Sequence, residues 1–519
     1  MVRELFTNAK NIRALSRKKK LFLNTFFSLF YQLTSILCGF ILPRFFLEYF
    51  GSSVNGLVAS VSQFLGFITL AECGVGAVVQ STLYRPLAQK NELEISKIII
   101  AAERFFRKIA FILLGYTFIL MIGYPLFVKE SFGYLYTALL IAVISIKSFA
   151  QYFLGISYKL LFNADQLGFI QYIIHALVLI ANTVACVFLM KNGLSIHVVK
   201  LTTSVLFLVQ PFLMAVLAKK MYKIDRGIEL TENPIKQKWN GLTQHIAAVV
   251  LGNTDIVLLT AFSTLENVSI YSVYHLVVNG VKQIVVSLTN GAESMLGNML
   301  AKKEYSKLNA SFSGFEWFIH LTVTIVFLST AFLIVPFVTV YTKDVSDANY
   351  IVPIFAYLIT ISQGLICLQI PYKVMVLAAG HYKETQWSSI IEAVINVVVS
   401  IVLIFPLGLN GVALGTIAAI GYRLIYLTCY LSKNILRRSI SFFLKRIIVD
   451  IVCVSLSWLV FSSLRNCFVL KEVTWLSWIC LGVKIVVVCA FVTLIVNLIF
   501  SYKEMGQFLR ARKNKLRKI

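Results

Sequence analysis

About fourteen apolar runs of membrane-crossing length follow one another along this chain, and that succession limits the fold more than any other feature. They lie near residues 21–43, 54–82, 109–128, 134–156, 169–190, 197–218, 241–262, 268–297, 315–341, 350–377, 388–407, 411–432, 446–464 and 474–500. Hydrocarbon offers the backbone no hydrogen-bond partners, so runs of this kind span as helices. The expected class is an all-α polytopic membrane protein. A soluble chain is excluded by composition: 58% of the 519 residues are hydrophobic and only 14% are charged. The first run is too long for a signal-peptide core. Pro43 and Arg44 follow it where a cleavage site would need small residues, so it reads as a retained span.

The net charge of +25 is a topology signal before it is a sign of nucleic-acid binding, because the cations sit between the runs. With the N-terminus inside and alternating crossings, only six of the 48 Lys and Arg fall in outer links: Arg44, Lys129, Lys191, Lys343, Arg465 and Lys471. Six more lie within spans: Lys147, Lys200, Lys282, Lys373, Arg423 and Lys484. The remaining 36 are on the inner side. This asymmetry supports an even number of spans with both termini in the cytoplasm. The basic ends, Arg17 to Lys20 and Arg510 to Lys518, suit the anionic phospholipids of an inner leaflet. Nine scattered cysteines show no metal-type spacing and read as small core residues.

The longest inner link, near mid-chain, reads as a linker between halves. The expected organisation is a basic N-terminus (1–20), an N-lobe of six spans (21–218), the linker (219–240), a C-lobe of six spans (241–432), two additional spans (433–500) and a basic tail (501–519). Leu87-Ala88-Gln89-Lys90 is echoed by Leu300-Ala301-Lys302-Lys303, and Asn192-Gly193 by Asn410-Gly411, at similar offsets. Six spans separate the members of each pair, so the repeat is parallel. A parallel repeat places a substrate site between two bundles related by an axis along the membrane normal.

Charge inside a span is expensive and marks function or pairing. On a helical wheel Lys282, Glu293, Asn279, Asn290 and Gln283 form one polar stripe in the eighth run, as expected for a helix facing a wet cavity. Asp255 sits in the seventh run; its rival reading is an ion pair with Lys282. Lys147 shares a helix face with Ser148, Gln151 and Tyr158. Lys200 and Lys373 lie nearer span ends, where snorkelling competes with a site role. Tyr116, Tyr152, Tyr274, Tyr357, Tyr422 and Tyr426 are candidates for stacking on sugars, against packing as the bland reading.

Ile41-Leu42-Pro43-Arg44, Val54-Asn55-Gly56-Leu57, Phe64-Leu65-Gly66 and Leu70-Ala71-Glu72-Cys73-Gly74-Val75-Gly76-Ala77 resemble the opening of the Wzx-type polysaccharide flippases. These belong to the multidrug/oligosaccharidyl-lipid/polysaccharide exporter superfamily and are related to the lipid II flippase. Asn253-Thr254-Asp255, Tyr271-Ser272-Val273-Tyr274 and Gly408-Leu409-Asn410-Gly411 are similar to that family too. The resemblance implies two six-helix lobes in a V, a central cationic cavity, alternating access, and a C-terminal helix pair outside the lobes.

The cargo so implied is an oligosaccharide joined by pyrophosphate to a polyprenyl lipid, moved to the outer leaflet for capsule- or O-antigen-type polysaccharide assembly. Other polysaccharide-assembly proteins would then be partners. A pyrophosphate in the membrane needs cations and hydrogen-bond donors. The expected substrate ligands are Lys147, Lys282, Arg423, Lys373, Lys200, Gln151 and Asn279, with Asp255, Glu72 and Glu293 as candidates for coupling to Na⁺ or H⁺. No cofactor is implied, and the chain lacks a GxxxxGK[ST] run for ATP hydrolysis. Two alternatives stay open: a cation-coupled small-molecule exporter of the same superfamily, and a membrane polysaccharide polymerase, for which neither a large outer loop nor an Asp-x-Asp is present. The topology is checked with reporter fusions. A fusion within the 219–240 link is expected to report the cytoplasm, and one at Asn192-Gly193 the outside.

Overall fold

The computed structural model describes residues 12–13, 15–72, 74–128, 132–228, 242–289 and 292–502. Most of the basic N-terminus, the latter part of the 219–240 link, the tail beyond 502, Lys129 and Asn290 lie outside them. All the regular structure described is helical, and eleven helices are long and apolar enough to cross a membrane. The chain separates into two compact units, Met1–Val249 and Val250–Ile519.

In the first unit, α1 (Arg17–Gly66) covers the first run and enters the second. Gly51 breaks it at φ 79°, a left-handed value that glycine tolerates without strain. A 3₁₀ turn (Phe67–Glu72) then leads to α2 (Val75–Gln89). Asn91 caps α3 (Glu92–Phe127) by accepting from Glu94 N–H, with Glu92 and Glu94 in the favourable first turn. Next come α4 (Tyr134–Ala150), a π-turn over Gln151–Gly155, and α5 (Ile156–Ala164). The unit closes with α6 (Gly168–Lys191) and α7 (Ile196–Met221). α1 packs on α6, α3 on α4, and α7 on both α4 and α6.

Four segments that the charge pattern assigns to the inner side meet at one end of this unit. Asp165 is their hub. Lys20 Nζ reaches its Oδ1 at 3.2 Å, Arg13 Nε its Oδ2 at 3.4 Å, and Tyr222 donates to Oδ2 at 2.6 Å. Arg13 also pairs with Glu92 at 2.8 Å.

The second unit takes in most of α8 (Leu242–Phe262), then α9 (Leu265–Leu288), α10 (Ala292–Ala301), α11 (Tyr305–Tyr341), α12 (Pro353–Ala378), α13 (Tyr382–Leu407), α14 (Leu409–Asn434), α15 (Ser441–Ser463) and α16 (Trp475–Phe500). The eighth apolar run is therefore two helices. α9 ends at Leu288 with Thr289 as its cap, just before the turn-forming pair Asn290-Gly291 in the sequence. α9 is also absent from the eleven apolar spans, because its polar stripe dilutes the run. The last two helices join this unit directly: α16 lies on α11 through a cluster of Leu328, Phe461, Leu481, Ile485 and Cys489, and Trp317 Nε1 donates to Asn497 Oδ1 at 2.9 Å.

In this unit α13 packs tightly against α14. Gly411 and Gly415, spaced as in a GxxxG stripe, bring the two backbones together. A Cβ on Gly411 would sit 2.1 Å from Leu403 O, and one on Gly415 2.1 Å from Ser400 Oγ and 2.7 Å from Ser400 N. Gly415→Leu is expected to force these helices apart and lower stability by about 1–3 kcal/mol or more, read as a fall in unfolding temperature of the purified protein.

Candidate functional site

Polar groups gather separately inside each unit. In the first, the π-turn of Gln151–Gly155 inserts an extra residue, and Gly155 lets it approach Pro211 of α7, where an added Cβ would lie 3.0 Å from Pro211 Cβ. Such turns often mark functional positions. Around it Lys147, Gln151, Lys159 and Gln210 line a small cleft. Lys147 Nζ sits 3.8 Å from the centre of the Phe207 ring, and Lys200 Nζ 4.0 Å from that of Phe46. Such contacts contribute about 0.5–2 kcal/mol each. Lys147 is within electrostatic range of Lys200 and of His175, whose Nδ1 is 3.2 Å from Gln210 Nε2. None of Lys147, Lys159 and Lys200 has a carboxylate ion pair among the described residues.

The π-turn also corrects the helical wheel. Tyr158 does not join Lys147. It is turned to Glu103, donating at 2.6 Å, and accepts from Arg226 at 2.9 Å. Glu72, a coupling candidate, accepts from Tyr152 at 2.5 Å, so both are engaged with each other.

In the second unit a polar seam runs through four helices. Asp255 (α8) is buried and accepts from Tyr271 (α9) at 2.8 Å and from Thr416 (α14), 3.0 Å from each carboxylate oxygen. Asn396 (α13) donates to Thr416 at 3.0 Å, and its own Oδ1 has no partner among the described residues. Asp255 and Lys282 form no ion pair there, so the rival pairing is not what the structure shows. From Tyr271 the seam continues along α9: the His275 ring stacks on Tyr271 with centroids 5.6 Å apart, and Lys282 lies within electrostatic range of His275. Lys282 and Asn279 are half-buried, and Lys282 has no hydrogen-bond or ion-pair partner among the described residues. Glu293 is exposed at the start of α10, on a different helix from Lys282, because α9 stops first. The continuous stripe expected from the wheel is broken there.

Arg423 (α14) is buried and spoken for. It donates to the Thr385 carbonyl at 3.0 Å and to Ser388 Oγ, and its Nε is 3.7 Å from Glu392. Lys373 (α12), exposed, lies within electrostatic range of Glu392 and Arg423. Glu392 joins the site through tertiary contact alone. The available signal was its i,i+4 spacing to Asn396 on an apolar helix, matched by Thr416 and Arg423 at i,i+7 on the next. Of the tyrosines, Tyr116 donates to the Phe64 carbonyl and Tyr274 to that of Tyr350, so both are packing residues. Tyr422, Tyr426 and Tyr430 form a ladder beside Arg423, with successive ring centroids 6.2 Å apart.

This is the arrangement of a helical membrane protein with polar groups held inside its spans. Among solved structures it aligns with the lipid II flippase MurJ in an inward closed conformation, with a TM-score of 0.66 and 16% identity, covering 93% of this chain and 100% of that one. It also aligns with a multidrug resistance MATE family transporter of the MOP superfamily in an inward-facing conformation, with a TM-score of 0.54 and 15% identity over 78% of this chain and 95% of that one. A MATE in the bent conformation gives 0.50 and 13% over 82% and 98%. The fold is the one these transporters share. No protein-family model matches the chain, and neither does any curated protein.

Arg423→Ala is expected to destabilise the second unit by roughly 3–5 kcal/mol, because it leaves buried Glu392 without its ion-pair partner. Adding Glu392→Ala should recover part of the loss, as measured by thermal unfolding in detergent.

Proposed function

We propose that this chain is a flippase of the MOP superfamily that carries a polyprenyl-pyrophosphate-linked oligosaccharide from the inner to the outer leaflet of a bacterial cytoplasmic membrane. The observation that carries this reading is a set of lysines inside the spans, Lys147, Lys200, Lys282 and Lys373, that form no ion pair among the described residues, in a fold shared with a lipid II flippase. A cation at membrane depth without an ion-pair partner is costly unless it reaches water or an anion arrives to neutralise it. A diphosphate supplies that anion in a form ammonium groups bind by charge-assisted hydrogen bonds. Gln151 and Asn279 add neutral donors beside Lys147 and Lys282. The Tyr422–Tyr426–Tyr430 ladder offers flat apolar faces for sugar rings. Arg423 holds α13 to α14 and acts on cargo through the position of its neighbours.

The process is transport, with no covalent step. A potential negative inside favours outward movement of the anion by about 2.3 kcal/mol per charge per 100 mV. Asp255 is the coupling group on this reading. Its carboxylate, the free Asn396 Oδ1, Thr416 Oγ1 and Tyr271 Oη form an all-oxygen set suited to Na⁺ or to a proton. Glu72 and Glu293 are weaker candidates, the first being tied to Tyr152 and the second exposed.

The test is flipping of a fluorescent lipid-linked sugar in proteoliposomes. Lys147→Ala with Lys282→Ala is expected to slow it at least about tenfold, given roughly 1.5–3 kcal/mol per hydrogen bond to a charged group; Lys→Arg at the same sites should keep part of the rate. Asp255→Asn should remove any Na⁺ or pH dependence. An unchanged rate in the variant lacking all four lysines would end this reading. Export of a small cationic dye in place of the lipid would favour the exporter alternative, which the likeness to the MATE fold keeps open.

A further inference from the structure

At the end of the first unit where the charge pattern places the inner side lies a pocket of about 700 Å³. Five cationic side chains, Arg13, Lys219, Lys220, Lys223 and Arg226, line it against one carboxylate, Glu92. The walls are fixed by the chain itself. The start of the central link folds back on α3: Lys223 N–H donates to Glu92 Oε2 at 2.9 Å, Ser96 Oγ donates to the Lys223 carbonyl at 3.3 Å, and Asp225 N–H donates to Ser96 Oγ at 3.1 Å. Arg226 is held by Tyr158 at 2.9 Å and Glu103 at 3.3 Å. The Arg13 guanidinium lies 4.4 Å from the centre of the Tyr222 ring. Burial and the nearby Asp165 carboxylate hold the Tyr222 phenol well above its ordinary range, so it stays a neutral donor anchored on Asp165.

Glu92 is used up by Arg13 and by the Lys223 N–H. Lys219 and Lys223 are exposed at the rim and have no ion pair among the described residues. Arg13 and Arg226, tied to Glu92, Asp165 and Glu103, thus form a fixed frame, and Lys219 and Lys223 add positive charge that no carboxylate among the described residues neutralises. The pocket's volume falls within the range of small-ligand sites. The complementary ligand is compact, multiply charged and rich in acceptor oxygens, which a phosphate group satisfies better than a lone carboxylate.

We propose that this pocket binds a phosphate-bearing anion, either the head group of an anionic phospholipid or a free phosphate ester. The inference is independent of the cargo assigned to the spans, since none of the lysines lining the pocket lies in the set invoked for transport.

The experiment uses the purified full-length chain and two probes. Inorganic pyrophosphate is titrated by calorimetry into protein held in phosphatidylcholine nanodiscs. In a second arm, phosphatidylglycerol is added to the nanodisc lipid and bound lipid is counted by native mass spectrometry. Each arm compares wild type with Lys219→Gln/Lys223→Gln, exposed changes that leave the wall hydrogen bonds in place, and with Lys90→Gln/Lys108→Gln, surface lysines of the same unit outside the pocket. At least tenfold weaker pyrophosphate binding in the first variant alone supports the site with a free phosphate as its ligand. Loss of retained phosphatidylglycerol in that variant alone supports it with a lipid head group. Binding of neither probe to wild type, or an equal response in both variants and wild type, overturns it.

Discussion

A charge in hydrocarbon must find an internal partner, face water, or wait for a ligand, and the arrangement of this protein follows from that constraint. Backbone groups meet it by forming helices. The ionisable side chains inside the spans divide into two populations. Arg423 with Glu392, and Asp255 with Tyr271 and Thr416, are satisfied within their own unit and fix helix positions there. Lys147 and Lys200 sit on aromatic rings, Lys282 lies within electrostatic range of His275, and all three lack an ion-pair partner among the described residues. The first population holds helices in place, with Asp255 in it also the proposed coupling group. The second is where a mobile anion would be welcome.

Both groups of the first population engage the same pair of helices in the second unit. Glu392 and Asn396 lie one turn apart on α13, and Thr416 and Arg423 two turns apart on α14. The glycine stripe of Gly411 and Gly415 lets these helices come close enough for the four side chains to join. The structural pair and the proposed coupling carboxylate thus share one seam, so a change at Arg423 would be felt at Asp255 through two packed helices. A comparable division holds at the inner end of the first unit. Asp165 and Glu92 consume the cations that hold the segments together, while Lys219 and Lys223 remain exposed beside them.

Much of this was legible residue by residue. Charge asymmetry places the basic N-terminal segment and the 219–240 link on one side, and Arg13 and Lys223 of those segments do meet, both bonded to Glu92. Lys282 and Asp255 stood out because a charge in an apolar run is conspicuous. The misses have physical causes. A wheel assumes an unbroken α-helix, so it failed at the π-turn after Lys147 and at the helix end after Lys282. Glu392 was overlooked because its partner is on another helix. Asp255 and Thr416 are 161 residues apart, and no local pattern announces such a contact.

By itself the sequence determined that the chain is helical and membrane-spanning, and which side chains are too polar to face lipid. Those are consequences of composition along one dimension, set by solvation. Tertiary structure decided which of those side chains neutralise one another. Pairing depends on distances between helices far apart in sequence, on where a helix bends or stops, and on whether a glycine lets two backbones touch.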